Sequence, residues 1–268
     1  MRPTEFTDSF ALRVSHLLSH NWKRPHWRIV FLHDVPSYAL GPMRQFLEYF
    51  SARFQWVSLE EGLRRVLSCQ IGCPCITLTF DDAHKSLVNL MPLLRDAGVT
   101  ACVYVVPEYV EAGRSLSGRR GEPIMSWQDL EAWLAAGHEV GSHSLSHPAL
   151  PRCSDEELRR QFVESRRRLE TALGRAVEHF AYPFGQLDGR TQRLVRQLKC
   201  YRSVATSYRG AMYGCHDPLF LRRNRIDLQA TPARNEMWMR LADRFYWLRA
   251  VKKLIAKPRS KSSSHAAS

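Results

Sequence analysis

A chain of 268 residues with 44% hydrophobic content suits one large α/β domain or two small ones and allows a sizeable core. A formal charge of +13 points to acidic partners such as anionic lipid head groups or phosphorylated glycans, and without a DNA- or RNA-binding signature nucleic acid is set aside. Residues 1–30 lack the apolar segment of a secretory signal, no run approaches the ~18 apolar residues of a membrane span, and the seven cysteines lack zinc-finger spacing, so reduced structural thiols and a cytoplasmic protein are expected.

Residues 1–26 form a polar lead with helical patterning near Phe10–Leu18. Trp27–Leu32 is an apolar run, read as a first strand, and it ends on His33-Asp34. Gly41-Pro42 opens a helix expected to run through Phe54, with Met43, Phe46, Leu47 and Phe50 at helical spacing. Ser58 reads as the cap of a second helix, with Glu61 completing a capping box. Cys75–Phe80 is a buried parallel strand that stops on Asp81-Asp82. A helix near 86–97, a strand at 100–106, a Gly- and Arg-rich surface loop over 107–123 and a Ser126-capped helix to Ala136 follow. The strand 138–142 exits on His143, and Ser154 caps a charged helix to about Leu173. The strand 178–182 exits into Pro183-Phe184-Gly185; a helix near 188–198 and a strand near 201–205 come next, with Phe220–Leu221 the candidate for a last strand.

About seven strand–helix alternations argue for a parallel sheet, closed into a barrel or doubly wound. From Arg234 the pattern changes: Trp238, Leu241, Phe245, Leu248 and Ile255 share a helical face among Lys and Arg. This segment is either a basic amphipathic helix for an anionic membrane surface or a helix docked on the domain with a solvated tail. The expected division is a lead over 1–26, a catalytic domain over 27–232 and a basic helix with a disordered tail over 233–268.

Strand ends of a parallel barrel gather at one face, so His33, Asp81-Asp82, His143 and the Tyr182-Pro183-Phe184-Gly185 turn can converge. Adjacent side chains on a strand point to opposite faces, so one aspartate can hold a metal while the other handles a proton. An Asp helix cap explains one of the pair but not both. His143 and His147 with one carboxylate make the ligand set of catalytic zinc and of other first-row metals; alone, they also fit two surface-loop histidines. His84 follows Asp82 and is expected at the pocket rim. Arg222, Arg223 and Arg225 read as a solvated basic patch, with contact to a substrate phosphate as the other reading.

Thr79-Phe80-Asp81-Asp82 and His143-Ser144-Leu145-Ser146-His147 resemble the first two motifs of the polysaccharide deacetylases, the NodB-homology or carbohydrate esterase 4 family. Phe180-Ala181-Tyr182-Pro183-Phe184-Gly185 resembles their third motif, and the resemblance runs from about Arg28 to Asp227. It implies a distorted (β/α)7-type barrel, a divalent metal (usually Zn2+) and removal of an N-acetyl group from a sugar. It implies Asp81 as the base, Asp82, His143 and His147 as metal ligands, and Phe184 as the backbone donor to the oxyanion, with Tyr182 and Pro183 beside it at the substrate. Three features depart from the family pattern. The usual third-motif Arg is Ala181, no Asp-x-x-Asp-Trp motif is present around Ala205-Thr206-Ser207-Tyr208, and no Leu-x-His motif appears near the C-terminus. His33-Asp34 instead resembles the branch that deacetylates poly-N-acetylglucosamine, whose catalytic histidine comes from the N-terminal strand. His33 is therefore the expected general acid.

The expected activity is metal-dependent N-deacetylation of a glycan or lipid-linked sugar in bacterial envelope polysaccharide biosynthesis, at the cytoplasmic face of the inner membrane. The alternatives are hydrolysis of a small cyclic or linear amide, and a non-catalytic glycan-binding relative.

Overall fold

The structure, a computed structural model, describes Trp22, residues 24–116 and residues 121–255, with side chains as far as residue 243. The helix expected near Phe10–Leu18, the tail beyond 255 and the side chains of Phe245, Leu248 and Ile255 lie outside the described residues.

The strands are β1 (Trp27–Leu32), a stub β2 (Gln55–Trp56), β3 (Cys75–Asp81), β4 (Ala101–Val105), β5 (Glu139–Ser142), β6 (His179–Ala181), β7 (Ser203–Ala205) and β8 (Arg223–Arg225). They form one parallel sheet in the order β7-β6-β5-β4-β3-β1-β8, with β2 beside β3. The ends then meet: Thr206 N–H donates to Leu221 O at 2.9 Å and Leu221 N–H to Val204 O at 2.8 Å. The sheet is thus a nearly closed parallel barrel with helices around it, as a (β/α)7-type fold requires. The last strand falls at 223–225 rather than 220–221. Pro218 lacks an N–H for a ladder and starts a 3-10 turn through Phe220, so Leu221 makes only a single bridge.

Strand alternation sorts the core into two layers. Val30, Leu32, Ile76, Leu78, Phe80, Val103 and Val105 face the helices. Trp27, Ile29, Cys75, Tyr104, Ala181, Ala205 and Leu221 fill the barrel. Trp27 closes the end where the strands begin, held by its indole N–H to Thr77 Oγ1 at 2.8 Å. A Cβ on Gly62 would meet that indole at 2.2 Å, so only glycine lets the helix α2 (Leu59–Leu67) lie across the barrel floor. The preceding helix α1 (Leu40–Ser51) stops three residues before Phe54, which still packs in the core.

Ser58 caps α2 by accepting from Glu61 N–H at 3.1 Å. The expected reciprocal half of the box is replaced: Glu61 instead binds Arg64 and Arg65 at 2.7 and 2.6 Å, the stronger charge-assisted option. The stretch 85–97 is a 3-10 turn followed by α3 (Met91–Asp96), and the expected loop 107–123 begins with α4 (Pro107–Ala112). Next come α5 (Trp127–Ala135), with a complete Ser126–Asp129 box, α6 (Asp155–Leu173), α7 (Gly189–Leu198) and α8 (Pro232–Ile255).

The first half of α8 is docked on the domain. Arg28, fully buried on β1, pairs with Asp243, and Tyr49 donates to Glu236 at 2.6 Å. Trp22 lies between two guanidinium groups, Arg28 at 4.1 Å and Arg240 at 4.0 Å, as cation–π partners. Among the described residues no helix is long and apolar enough to cross a membrane.

One expectation about cysteine is corrected. Cys69, just past α2, and Cys215 form a disulfide across a sequence separation of 146, while Cys73, Cys75, Cys102, Cys153 and Cys200 are free. The fold brings the pair together at a Cα–Cα distance of 4.5 Å, and no local spacing announces it. Disulfides persist mainly in oxidising compartments, so cysteine content gives no support to a cytoplasmic placement.

Candidate active site

Asp81 and Asp82 leave β3 at the end of the barrel opposite Trp27, and their side chains enter different surroundings. Asp81 turns inward and is 4% exposed. It meets Arg223 of β8, which has no exposed surface, in a two-pronged ion pair: Nη1 to Oδ1 at 2.6 Å and Nη2 to Oδ2 at 3.0 Å. The third guanidinium edge donates from Nε to Thr206 O at 3.0 Å, and the Phe31 ring lies 4.4 Å away. Burial alone would raise the Asp81 carboxyl. The Arg223 charge, followed by His143 and the Arg223 hydrogen bonds, outweighs it and holds Asp81 well below the usual carboxylate range.

Arg223 corrects the reading of residues 222–225 as a solvated patch. It supplies from β8 the guanidinium that Ala181 does not supply from β6. Its sequence signal was weak but present: Leu221 and Arg223 alternate as inward positions do, and an unpartnered buried carboxylate demands a cation.

Asp82 points the other way, toward two imidazoles. His147 Nε2 lies 3.4 Å and His143 Nε2 3.8 Å from Asp82 Oδ1, and the three ligand atoms fall within 4.8 Å of one another. These separations suit one first-row ion at about 2.0–2.2 Å from each. His143 Nδ1 donates to Ala181 O at 2.8 Å, which fixes the ring and directs Nε2 to the centre. Burial lowers His143 to about 4 and His147 to about 3, so both are neutral at neutral pH, as ligands must be.

The loop carrying the histidines is held from α6. The buried amide of Gln161 accepts from the Leu145 and Ser146 N–H groups at 2.9 and 3.1 Å and donates to Ser146 Oγ at 2.8 Å. Ser144 Oγ accepts from His147 N–H at 3.0 Å. The two histidines are thus loop residues held by a buried network, not surface-loop residues.

The other candidates are distributed around this centre. His33, one residue beyond β1, is half-buried, and its charge acts on Asp81, His143 and His147. Phe184 is 53% exposed, and its ring meets His147 at 4.5 Å between centroids. The neighbouring Tyr182 N–H is bonded to Ala205 O at 3.1 Å, whereas no described group accepts from Phe184 N–H. The Tyr182 ring is buried against Phe162 and Phe180, so Tyr182 and Pro183 build the turn from the core side. His84 is buried rather than on the rim; its Nδ1 lies 3.1 Å from Glu122 and its Nε2 3.9 Å from Asp82. A cavity of about 890 Å³ opens beside the site, and His33 is the one site residue that lines it.

The chain is 29% identical over 126 residues to a chitooligosaccharide deacetylase of Sinorhizobium fredii, covering 46% of this chain and 53% of that protein. It is 28% identical over 132 residues to chitin deacetylase 1 of Cryptococcus neoformans, 49% of this chain and 25% of that one. The chain thus spans about half the length of the rhizobial relative. In fold it is similar to the Streptococcus pyogenes deacetylase PplD (TM-score 0.69, 20% identity, 80% of this chain and 97% of that one). It is similar also to IcaB from Ammonifex degensii (TM-score 0.66, 18% identity, 80% and 97%). Residues 70–202, which hold Asp81, Asp82, His143, His147 and Phe184, match the family described as polysaccharide deacetylase, so this stretch carries a polysaccharide deacetylase domain.

Proposed function

We propose that the chain is a metal-dependent N-deacetylase of a glycan, with Asp81 as general base, Asp82, His143 and His147 as metal ligands and His33 as general acid. The observation that carries this reading is the division between the adjacent aspartates: one is locked to Arg223, the other faces two neutral imidazoles. An amide is a poor electrophile with a poor leaving group, so water, carbonyl and nitrogen each need help. A divalent ion, with Zn2+ the best match to the donor set, would supply Lewis-acid and water-activating chemistry when bound. Asp81, ionised at neutral pH, takes the proton of the attacking water. The Phe184 N–H receives the oxyanion, a contribution often worth ~3 kcal/mol. His33 donates a proton to the departing nitrogen as the C–N bond breaks, leaving acetate and a free amine. Arg223 is a positioning residue that keeps the base charged and aimed.

The net charge of +13 supports action near an anionic membrane surface on a lipid-linked glycan of the cell envelope. The Cys69–Cys215 bond favours an oxidising side of that membrane over the cytoplasmic face first expected. The deciding experiment measures bound metal and acetate release from N-acetylated sugars. Asp82→Ala should lose the metal, and Asp81→Asn should keep it while losing acetate release. Equal metal loss in both variants would sink the division of labour.

A further inference from the structure

The cavity beside His33 holds an arrangement that the deacetylation chemistry leaves unused. Arg209 and Arg225 both line it, and the backbone explains why they meet there. Tyr208 O accepts from Arg223 N–H at 3.0 Å, and Gly210 N–H donates to Asn224 Oδ1 at 3.1 Å, so residues 208–210 lie along β8. Both side chains are exposed, and among the described residues neither guanidinium has a carboxylate partner. Two carboxylates, Asp34 and Asp227, line the same cavity, and Asp227 accepts from Gln229 N–H at 2.9 Å. Trp238 and Met239 from α8, with Pro42 from α1, give the cavity an apolar wall.

We infer that this cavity binds a phosphoryl group carried on the sugar side of the scissile amide, with Arg209 and Arg225 as its recognition residues. The inference rests on the deacetylase reading in one respect. His33 protonates the leaving nitrogen, so the sugar that keeps that nitrogen lies on the His33 side, where the cavity begins. The acetyl group lies on the side of Phe184. An N-acetyl sugar bears no charge, so two unpaired guanidinium groups at its far edge have no use for it. A phosphate monoester or diester on that sugar fits their donors, because guanidinium groups bind phosphate with paired, charge-assisted hydrogen bonds. The apolar wall then lies where the alcohol of a diester would continue.

The test is calorimetric binding to the metal-loaded protein of N-acetylglucosamine 1-phosphate against its uncharged methyl glycoside. The phosphate is expected to bind at least about tenfold more tightly, with the advantage falling as salt rises. Arg209→Gln with Arg225→Gln should abolish most of that preference. Arg95→Gln with Arg167→Gln, which removes the same two charges from exposed sites on α3 and α6, should leave it intact. Phosphate oxygens also coordinate divalent metals directly, so the comparison is repeated in Asp82→Ala. A preference that survives there and still depends on the two arginines supports the proposal, whereas one that disappears with the metal overturns it. Equal binding of the two sugars also overturns it, and does so even when acetate is released from both, which leaves the deacetylase reading standing. Should neither sugar be hydrolysed, the binding ratio still decides this question separately. A farnesyl phosphodiester against a methyl phosphodiester then identifies the source: a gain lost in Trp238→Ala indicates a lipid-linked sugar, and no gain indicates a phosphorylated glycan.

Discussion

Replacing Arg223 by Met is the sharpest test of how the site keeps Asp81, the proposed base, charged. The pair is buried on both sides, with side-chain exposures of 0% for Arg223 and 5% for Asp81. Removing one member of such a pair typically costs about 3–5 kcal/mol, because the survivor is a buried charge with no partner. Asp81 escapes that cost by taking a proton, since burial by itself raises its carboxyl. At 1.36 kcal/mol for each pH unit, the acid limb of the pH–rate profile should move up by roughly three units. The sign for stability follows. In the wild type the folded carboxyl is depressed, so its contribution is present above the unfolded value and lost as pH falls toward the folded one. In the variant the folded carboxyl is raised, so the protein is least stable relative to wild type at neutral pH and recovers on acidification toward pH 4–5. Urea denaturation at pH 7.5 and 5, with acetate release across pH 5–10, reads both effects. Arg223→Lys keeps the charge without the fork and should give a milder form of each, which preserves the test if the Met variant does not fold. An unshifted acid limb, with the same stability loss at both pH values, would show that Arg223 is packing and nothing more.

His33→Ala should cripple amide hydrolysis yet spare much of the activity on 4-nitrophenyl acetate, whose leaving group needs no proton, and should leave the metal bound; equal losses on both substrates would make His33 a ligand or a structural residue. Thiol titration in denaturant should find five free cysteines before reduction and seven after. Cys69→Ser should cost up to about 5 kcal/mol by the chain-entropy estimate for so long a loop, read from the denaturation midpoint. Truncation after Ile255 should weaken binding to anionic vesicles without changing the melting temperature. Truncation after Pro232 should unfold the domain, because it removes Glu236 and Asp243 from Tyr49 and the buried Arg28.

Much of this was legible in the chain because each element announced itself locally. Trp27–Leu32 and Cys75–Asp81 are continuous apolar runs that end on polar residues, and in a parallel barrel run ends are site positions. What escaped was non-local. Arg223 serves Asp81 from 142 positions away, and its neighbours Arg222 and Arg225 make the trio resemble a surface cluster. Cys69 and Cys215 carry no spacing rule, and Glu61 had a better use for its carboxylate than the cap box. The docking of α8 was half legible. Trp238 and its periodic partners gave the helix, but the charges that fix it, Glu236 and Asp243, find their partners on β1 and α1.

The backbone of the site shows why its support must be so extensive. Asp82, His147 and Phe184 adopt φ values of 70°, 60° and 57°, in the left-handed region that non-glycine residues avoid at about 1–2 kcal/mol each. Glycine would relieve the strain but would remove the Asp82 carboxylate, the His147 imidazole or the Phe184 ring beside them. The strained residues stay in place because their neighbours are tied. Ala83 O accepts from Met125 N–H at 2.8 Å, Gln161 holds residues 145 and 146, and Gly185 N–H donates to Tyr182 O at 2.9 Å. Each tie comes from a different element: the segment before α5, the buried face of α6, and the end of β6. A strand end turns only so far without such bends, and the bends are what bring Asp82 and His147 within 3.4 Å of each other while Asp81 remains in the barrel. The left-handed turn at the second member of Asp-Asp therefore lets the pair serve as the proposed base and ligand, and α6, which offers no side chain to the Asp82, His143 and His147 group, is as much a condition of the site as the histidines it restrains.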